Sequence, residues 1–383
     1  MMVTERKKIL ISCDSPRSLL DFRGKLMEAL VEKHEVMVFS PQIEQQSISH
    51  RLMEMGVTVY ENELNPSNVS IGSDLKYLLA LRKVIRMVKP DVFFPYTFKP
   101  VIYGCFVARY CRVKLITPML TGLGYNFLNI GPRTWVQKVT RILLKLSLRA
   151  TKRLHIIFQN QDDYELLIRE HILSKKNKVT VVNGSGVDLS SYEYSQPNVQ
   201  HINFLMISRL INAKGIKEYY EAAKIIKGKF PEVDFTLIGA YDDNIDAISD
   251  DLYAKIRSDG TIQYLGLRED VRPYIRESSV VVLPSYYGEG VPRCLLEGMA
   301  MGRALITCNS VGCRETINPL LRKANGFLVP VKDAPQLASK MEYYIRHTDD
   351  VTRFGNNGRK YAVEKFDVNK VNEMMIRVLE GQD

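Results

Sequence analysis

Short apolar segments alternate with helical patterns through the first half of the chain, and this alternation constrains the fold more than any other feature. The run KKILISC (7–13) is typical of a strand, and the next segment, DFRGKLMEALVEK, places Phe22, Leu26 and Leu30 at helical spacing. A second strand, HEVMVFS (34–40), follows. Strands that are separated by crossover helices pair in parallel, so the pattern predicts an α/β fold with helices on both faces of a parallel sheet.

The same alternation begins again at INFLMIS (202–208). It follows the segment SSYEYSQPNVQHI, where apolar residues become sparse and turn formers gather. That segment is the predicted linker. We therefore expect two Rossmann-like, doubly wound domains, at 1–192 and 199–363, with a cleft between the carboxyl ends of their sheets, where such folds bind ligands.

The excess positive charge is confined to the first half of the chain. Residues 1–195 contain 28 Lys and Arg against 18 Asp and Glu, whereas residues 196–383 contain 25 of each. A one-sided basic surface favours binding to phosphate groups or anionic lipid. The basic residues are not interleaved with aromatic ones, so no nucleic-acid partner is expected. No signal peptide or membrane-spanning segment is predicted either.

Two glutamates, eight positions apart, stand out in SYYGEGVPRCLLEG (285–298). Glu289 lies in a glycine-bearing turn ahead of a predicted helix, and Glu297 lies within that helix on an otherwise apolar segment. The unpaired N–H groups and the dipole of a helix N-terminus favour a diphosphate. A carboxylate within an apolar segment needs hydrogen-bond partners, which ribose hydroxyls would supply. The alternative is that Glu297 faces solvent and that Glu289 is an ordinary charge near a helix start.

A pair of cations supports the ligand-binding interpretation. In FLMISRLINAKGIKEYYEAA a predicted strand ends near Ser208, Arg209 and Lys214 flank a short loop, and Gly215 begins a helix. An arginine and a lysine at the carboxyl end of a strand, beside a helix N-terminus, are suited to hold a diphosphate. Either cation alone is usually a solvated charge, so the combination with the two glutamates is what indicates a site.

At this point the chain resembles the retaining nucleotide-sugar glycosyltransferases of family 4, which have the GT-B fold. The resemblance rests on SRLINAKGI and on EGVPRCLLE, with YLGLREDV and VVVLPS between them, and it extends over nearly the whole chain. It implies that Arg209 and Lys214 bind the donor diphosphate and assist its departure. It also implies that Glu289 faces the donor sugar and that Glu297 holds the ribose hydroxyls. Further donor contacts are implied for Gly290, Val291, Pro292, Leu267, Arg268, Pro16 and Arg17. A terminal helix within 364–383 is expected to pack back on the first domain.

One loop departs from the pattern of the resembled family. Many members have a histidine after the strand that VKLITPML represents, whereas this chain reads TPMLTGLGYNF there. A histidine contact to the donor sugar is therefore not expected. The T-G-L-G-Y form resembles a subgroup associated with bacterial surface-glycan assembly. The residues expected near the acceptor or the sugar are Thr97, Lys99, Thr121, Gly122 and Tyr125.

No metal ion or cofactor is expected. The chain has no Asp-x-Asp motif, since Asp162 and Asp163 lie at a predicted helix start and Asp242 and Asp243 lie in a loop. The cations and the helix N-terminus would instead stabilise the charge that develops on the leaving diphosphate. No carboxylate nucleophile is evident, so the retention that the resemblance implies is expected to proceed by front-face substitution.

A long basic helix is predicted in PRTWVQKVTRILLKLSLRATK (132–152). Basic residues recur there every three to five positions, apolar residues recur on the other side, and no acidic residue occurs between Ile130 and Phe158. Such a helix suits an anionic membrane surface, and the residues expected to face it are Trp135, Lys138, Arg141, Lys145 and Arg149. The alternative is an ordinary helix that buries its apolar face in the core.

These features predict a retaining hexosyltransferase that moves a hexose or N-acetylhexosamine from a UDP-sugar to a saccharide on a polyprenyl diphosphate. UDP is expected rather than GDP on frequency within the resembled family. The expected location is cytoplasmic, peripherally bound to the inner face of the cytoplasmic membrane. Two alternatives stay open: a nucleotide-sugar epimerase of the same fold, and a non-catalytic membrane-surface module that binds sugar nucleotides.

Overall fold

The computed structural model describes residues 5–63, 71–127, 134–241 and 246–382, and the chain divides into two compact units. The first unit comprises residues 1–185 together with 369–383, and the second comprises residues 186–368. The predicted divisions lay at 192–199 and 363–364. The first division falls earlier because the segment after residue 185 packs on the second unit, where Val187 and Tyr192 belong to the hydrophobic core.

The first unit is built on parallel strands. One sheet has the order β3-β2-β1-β4-β5, with β1 at Lys8–Ser12, β2 at Glu35–Pro41, β3 at Thr58–Asn62, β4 at Val92–Pro95 and β5 at Leu115–Ile116. A second group has the order β6-β7-β8, with β6 at Met119–Leu120, β7 at His155–Phe158 and β8 at Lys178–Val181. Single bridges, Tyr96–Met119 and Ile116–Leu154, connect the two groups. The predicted strand VKLITPML is thus two short pieces, since Pro118 between them has no N–H to donate to a neighbour.

Helices cover the strands of the first unit. They are α1 (Arg17–Val31), α2 (Gln46–Glu54), α3 (Ile71–Val88), α4 (Phe98–Tyr110), α5 (Trp135–Ser147) and α6 (Gln161–Arg169). Helix α1 buries Leu19, Leu26 and Leu30 at helical spacing, as an amphipathic helix on a sheet should. Helix α4 contacts both α3 and α5, so these three helices form a continuous layer.

The second unit repeats the architecture. Its parallel sheet has the order β11-β10-β9-β12-β13-β14, with β9 at Asn203–Ile207, β10 at Asp234–Ile238, β11 at Gln263–Tyr264, β12 at Val280–Leu283, β13 at Ala304–Cys308 and β14 at Gly326–Val329. The helices are α7 (Ile216–Lys227), α8 (Asp250–Ser258), α9 (Arg272–Glu277), α10 (Arg293–Ala300), α11 (Ala334–Arg346) and α12 (Thr348–Tyr361). Strands β12 and β13 are fully buried, as expected for strands covered on both faces.

The chain then returns to the first unit through α13 (Val368–Glu380). Val371, Met375 and Leu379 of this helix lie in the core that α1 and the first strands form. Glu380 pairs with Nε2 of His34 at 3.1 Å. No helix in the described ranges combines the length and the apolar character that crossing a bilayer requires.

Candidate active site

The loops that follow β9, β12 and β13 meet at the carboxyl edge of the second sheet. The Tyr286 N–H donates to the carbonyl of Ala213 at 2.8 Å. A Cβ on Gly215 would lie 2.3 Å from the carbonyl oxygen of Pro284. Gly215 has a φ of 80° at the start of α7, a conformation in which a side chain is strained. Glycine therefore permits the close approach of the segments that carry Lys214 and Glu289.

Lys214 and Glu289, the predicted catalytic residues, form an ion pair. Nζ of Lys214 donates to Oε1 of Glu289, and Oγ of Ser285 donates to the same oxygen at 3.1 Å. The two charged side chains are only 14% and 13% exposed. Burial lowers the pKa of Lys214 and the Glu289 carboxylate raises it, with a net change upward. The lysine is thus held charged, with its Nζ 5.3 Å from the ring of Tyr287.

Arg209 and two of the predicted donor contacts, Leu267 and Arg268, lie along the same edge. Arg209 follows β9, and its positive charge acts to lower the pKa of Lys214, so the two cations are close. Leu267 and Arg268 follow β11, on the far side of β10, and both are exposed. The Gly239 N–H donates to the Gly266 carbonyl at 3.0 Å, which connects the loop after β10 to this segment.

Glu297 is buried within α10, at 5% exposure. The Tyr192 hydroxyl donates to Oε1 of Glu297 at 2.8 Å, and Nε of Arg293 lies 2.6 Å from the same oxygen. The solvent-facing alternative for Glu297 is therefore wrong. Burial and the neighbouring carboxylate raise the pKa of Tyr192, which keeps the tyrosine a hydrogen-bond donor. Binding of ribose by Glu297 stays a prediction, since groups of the protein itself hold this carboxylate.

The turn before α10 packs against the loop that follows β13. Gly290, Val291 and Pro292 lead into the helix, whose N-cap is Pro292. Gly312 has a φ of 75°, and a Cβ there would lie 2.4 Å from the Gly290 carbonyl oxygen and 2.5 Å from that of Glu289. Oγ of Ser310 donates to the Ser285 carbonyl at 2.6 Å. The backbone that carries Glu289 thus depends on a third loop.

Sequence reasoning missed several residues that position these groups. Tyr192 lies in the segment interpreted as a linker, and its partner Glu297 is 105 positions away, a separation that no local pattern reveals. Arg293 was recoverable, because Arg293 and Glu297 have the i, i+4 spacing of a helical ion pair. Ser285 and Gly312 act through tertiary contacts. Only the frequent occurrence of glycine in tight turns pointed toward Gly312.

The predicted site residues of the first unit lie along one edge of its strands. They are Pro16 and Arg17 after β1, Thr97 and Lys99 after β4, and Thr121 and Gly122 after β6. Because these strands are parallel, this edge is a carboxyl edge, the usual place for ligands in such sheets. The side chain of Tyr125 is outside the described part of the structure.

Helix α5 corrects one prediction, because Arg141 does not lie on the exposed surface. It is 8% exposed, its Nη1 donates to Oε2 of Glu170 at 2.8 Å, and its guanidinium lies 4.1 Å from the Phe127 ring centroid. The helical period places position 141 on the same face as the buried residues Leu144 and Leu148. A regular spacing of basic residues was therefore not enough to assign them all to one face.

The exposed face of α5 combines apolar and basic side chains. Trp135, Ile142 and Leu146 are 77%, 59% and 50% exposed. The exposed basic residues of the same helix and its C-terminal end are Lys138, Lys145 and Arg149. The prediction that the basic and apolar residues occupy opposite sides was therefore wrong. The alternative of an ordinary helix that packs on the core holds for Leu143 and Leu144, but not for the three exposed apolar residues.

No cluster of three or more His, Cys, Asp or Glu side chains suited to a metal ion occurs within the described ranges. Asp163 lies in the first turn of α6, where its backbone N–H donates to Oδ1 of Asn160 at 2.8 Å. The pair Asp162-Asp163 therefore belongs to a helix start. Asp242 and Asp243 lie outside the described residues.

Comparison with known proteins agrees with the geometry of the second unit. Residues 201–347 match the family model described as glycosyl transferases group 1. The chain is 26% identical over 376 residues to an N,N'-diacetylbacillosaminyl-diphospho-undecaprenol alpha-1,3-N-acetylgalactosaminyltransferase of Campylobacter jejuni. The alignment covers 94% of this chain and 95% of that one. It is 24% identical to a UDP-Gal:alpha-D-GlcNAc-diphosphoundecaprenol alpha-1,3-galactosyltransferase of Escherichia coli over 79% of this chain and 78% of that one.

The fold is also found among solved structures. HepE of Anabaena, in complex with UDP-glucose, has a TM-score of 0.77 and 17% identity, and the match covers 98% of this chain and 100% of that chain. The two parallel sheets, the matched family model and the relatives named above agree with one another. The chain therefore has the GT-B fold, and residues 201–347 of its second unit match a glycosyltransferase family model.

Proposed function

We propose that this protein is a glycosyltransferase that moves a hexose or an N-acetylhexosamine from a UDP-sugar to a saccharide on a polyprenyl diphosphate, with retention of configuration. One observation carries the proposal: Arg209, Lys214 and Glu289 converge at a carboxyl sheet edge ahead of α10. Two cations and a helix N-terminus suit a diphosphate. The names of both relatives specify a sugar on diphospho-undecaprenol, and one specifies UDP-Gal.

Donor binding would redistribute the contacts of Lys214. In the structure its ammonium group is bonded to Glu289. A donor diphosphate offers the lysine a partner of greater negative charge, so the ammonium would shift toward the phosphate oxygens. Glu289 would then accept hydrogen bonds from the hydroxyls of the donor sugar. In the transition state Lys214 and Arg209 would stabilise the charge on the departing UDP.

Retention is supported by the printed linkages of the relatives. Both names specify an alpha-1,3 product, and transfer from an α-linked sugar nucleotide to an α-linked product retains configuration. Glu289 is held by Lys214 and Ser285, which suits a hydroxyl-binding group better than a nucleophile. We infer front-face substitution, in which the acceptor oxygen bonds to C1 on the face that UDP leaves and the departing phosphate oxygen takes the acceptor proton.

Transfer assays test this function directly. UDP-hexoses and UDP-N-acetylhexosamines would be incubated with the protein and a short-chain polyprenyl-diphosphate sugar, and the products followed by mass spectrometry and NMR. We expect one α-linked product, formed at the same rate in excess EDTA, because side chains rather than a metal ion neutralise the diphosphate. Absence of transfer with every UDP-sugar would overturn the proposal. A strict metal requirement would overturn its metal-free part, and an epimerised UDP-sugar would favour the epimerase alternative.

We also propose that the exposed face of α5 places the enzyme on an anionic membrane. Trp135, Ile142 and Leu146 expose apolar surface between the basic residues, the arrangement by which interfacial helices bind. Helix α3, in the same layer, exposes Leu75 and Leu79. Anionic lipid complements this charge, and a lipid-linked acceptor would be met at the same surface.

A flotation experiment tests the membrane proposal. Replacing Lys138, Lys145 and Arg149 together by Gln should reduce binding to phosphatidylglycerol-containing liposomes by about 100-fold, at about 1 kcal/mol per basic residue. Binding to purely zwitterionic liposomes should be weak for both proteins. The matched control replaces Lys217, Lys255 and Lys340 of the second unit by Gln, which removes the same charge and should leave flotation unchanged. Equal losses in both variants would refute a specific role for α5.

A further inference from the structure

Thr97 has a backbone conformation that is unusual for a residue with a side chain. Its φ is 70° and its ψ is 165°, in a region that is essentially reserved for glycine. Among the described residues Lys89, Arg112, His171 and Lys332 also have positive φ, but Thr97 alone of this set is β-branched. Such strain persists only where the surroundings enforce it, and it is concentrated at functional sites.

Capping of a helix does not account for this conformation. Thr97 is the N-cap residue of α4, where a threonine hydroxyl ordinarily accepts a backbone N–H of the first turn. Here the side chain makes no such bond. The hydroxyl is shielded from solvent. Ser12 of β1 pairs with Pro95 of the parallel strand β4, so Asp14 and Thr97, each two residues further along, lie next to each other at the carboxyl edge of the sheet. The strained conformation of Thr97 therefore occurs beside the loop that follows β1.

Asp14 is a carboxylate held at the edge of the first sheet without an ion pair. It follows β1, and burial raises its pKa, while Thr97 and the charge of Lys99 oppose that rise. No cation of the described residues lies within ion-pair distance of it. A half-buried carboxylate that is not neutralised by a direct partner retains acceptor capacity for hydrogen bonds.

A second carboxylate, Asp74, holds Lys99 in position. Nζ of Lys99 lies 3.4 Å from Oδ1 of Asp74, and the Tyr103 hydroxyl donates to Oδ2 of Asp74 at 2.6 Å. Burial and this carboxylate raise the pKa of Tyr103. Asp74 comes from α3, and Lys99 and Tyr103 come from α4. Polar groups of these two helices therefore join Asp14, from the loop after β1, at one end of the sheet.

We propose that Asp14, with Thr97 and Lys99, binds the hydroxyl groups of the acceptor saccharide, Asp14 accepting a hydrogen bond from one of them. This inference rests on the proposed function. The charges decide which part of the acceptor lies here: two carboxylates and one lysine repel a diphosphate but suit a neutral polyol. The lipid diphosphate therefore binds elsewhere, and Asp14 recognises the sugar that is extended.

Kinetics of Asp14→Asn test the inference. The amide keeps the shape of the side chain but weakens acceptance from a sugar hydroxyl, so the KM for a polyprenyl-diphosphate sugar should rise by about 10- to 100-fold, as expected for losing a bond to a charged group. The KM for the UDP-sugar and its slow hydrolysis without acceptor should not change. The control is Asp91→Asn, which alters a carboxylate bonded to Lys114 at the opposite edge of the sheet and should leave the acceptor KM unchanged.

Thr97→Gly supplies a second measurement. Glycine adopts the observed backbone without strain, so the melting temperature should stay equal or rise, while the acceptor KM should increase. An unchanged acceptor KM in Asp14→Asn, or an equal rise in both substrate KM values, overturns the inference. If the unaltered protein transfers no sugar from any UDP-donor, the proposed function itself fails, whatever the variants do.

Discussion

Replacing Lys214 by alanine is expected to lower kcat/KM for sugar transfer about a thousandfold, or by about 4 kcal/mol of transition-state stabilisation. The ammonium of Lys214 is largely buried and lies at the edge where the proposed diphosphate would leave. A group that acts on charge developing in the transition state affects kcat as well as KM. Initial rates over a range of UDP-sugar concentrations would separate the two effects.

The same experiment needs a variant that keeps the fold. Removing Lys214 leaves the buried carboxylate of Glu289 with Ser285 as a partner, which lowers the free energy of unfolding. Glu289→Gln preserves the shape and the Ser285 contact, and it should also nearly abolish transfer. Lys217→Ala is the matched control, because Lys217 lies one turn along on the surface and is 63% exposed. Near-normal turnover in both Lys214→Ala and Glu289→Gln would remove these residues from the mechanism.

Gly312→Ala is expected to reduce transfer at least about 100-fold, although Gly312 carries no functional group. The new Cβ would lie 2.4 Å from the carbonyl oxygen of Gly290 and 2.5 Å from that of Glu289, far inside the distance of a non-bonded contact. Either the turn or the loop after β13 must move, and a shift of about 1 Å in a catalytic group costs about 100-fold in rate. The positive φ adds strain, so the free energy of unfolding should fall by about 1–3 kcal/mol.

A second glycine supplies the comparison. Gly228 follows α7 with a φ of −65°, and a Cβ there would meet its nearest atoms at 3.5 Å, an ordinary contact. Gly228→Ala should therefore keep full activity and the same or slightly higher stability. Both variants would be assayed below their melting temperatures. Full activity in Gly312→Ala would show that the Glu289 turn does not need the support of this loop.

The architecture was predictable where local pattern and tertiary structure agree. Alternating strands and helices indicated both sheets, because strands buried on both faces are continuous apolar runs. Helix α2 and strand β3 were missed. Helix α2 is short and buries only Ile48 and Leu52, and β3 lies at a sheet edge, half exposed. The burial of Arg141 was also unpredictable, because its partners Glu170 and Phe127 come from elsewhere in the chain.

The residues of the candidate site were likewise predictable only in part. Lys214 and Glu289 were identified from their motifs, and the structure brings them together across 75 positions. The residues that hold the site in place, Ser285, Tyr192 and Gly312, could not be identified from the sequence. They act through contacts between distant segments, which local spacing does not reveal. Asp14 shows this most clearly: a single aspartate after a strand has many ordinary explanations, and only the strained backbone of Thr97 distinguishes it.

The return of α13 to the first unit has a consequence for how the chain is made. Val371, Met375 and Leu379 complete the core beside α1 and β1, yet the ribosome reaches them only after residues 186–368 have been synthesised. During translation the first unit therefore exposes the apolar surface that α13 covers in the finished protein. The second unit does not depend on α13 and can fold as soon as its own residues have been synthesised. Fragments that end near residue 185 should accordingly aggregate when expressed alone, and supplying residues 369–383 as a separate peptide should restore their solubility.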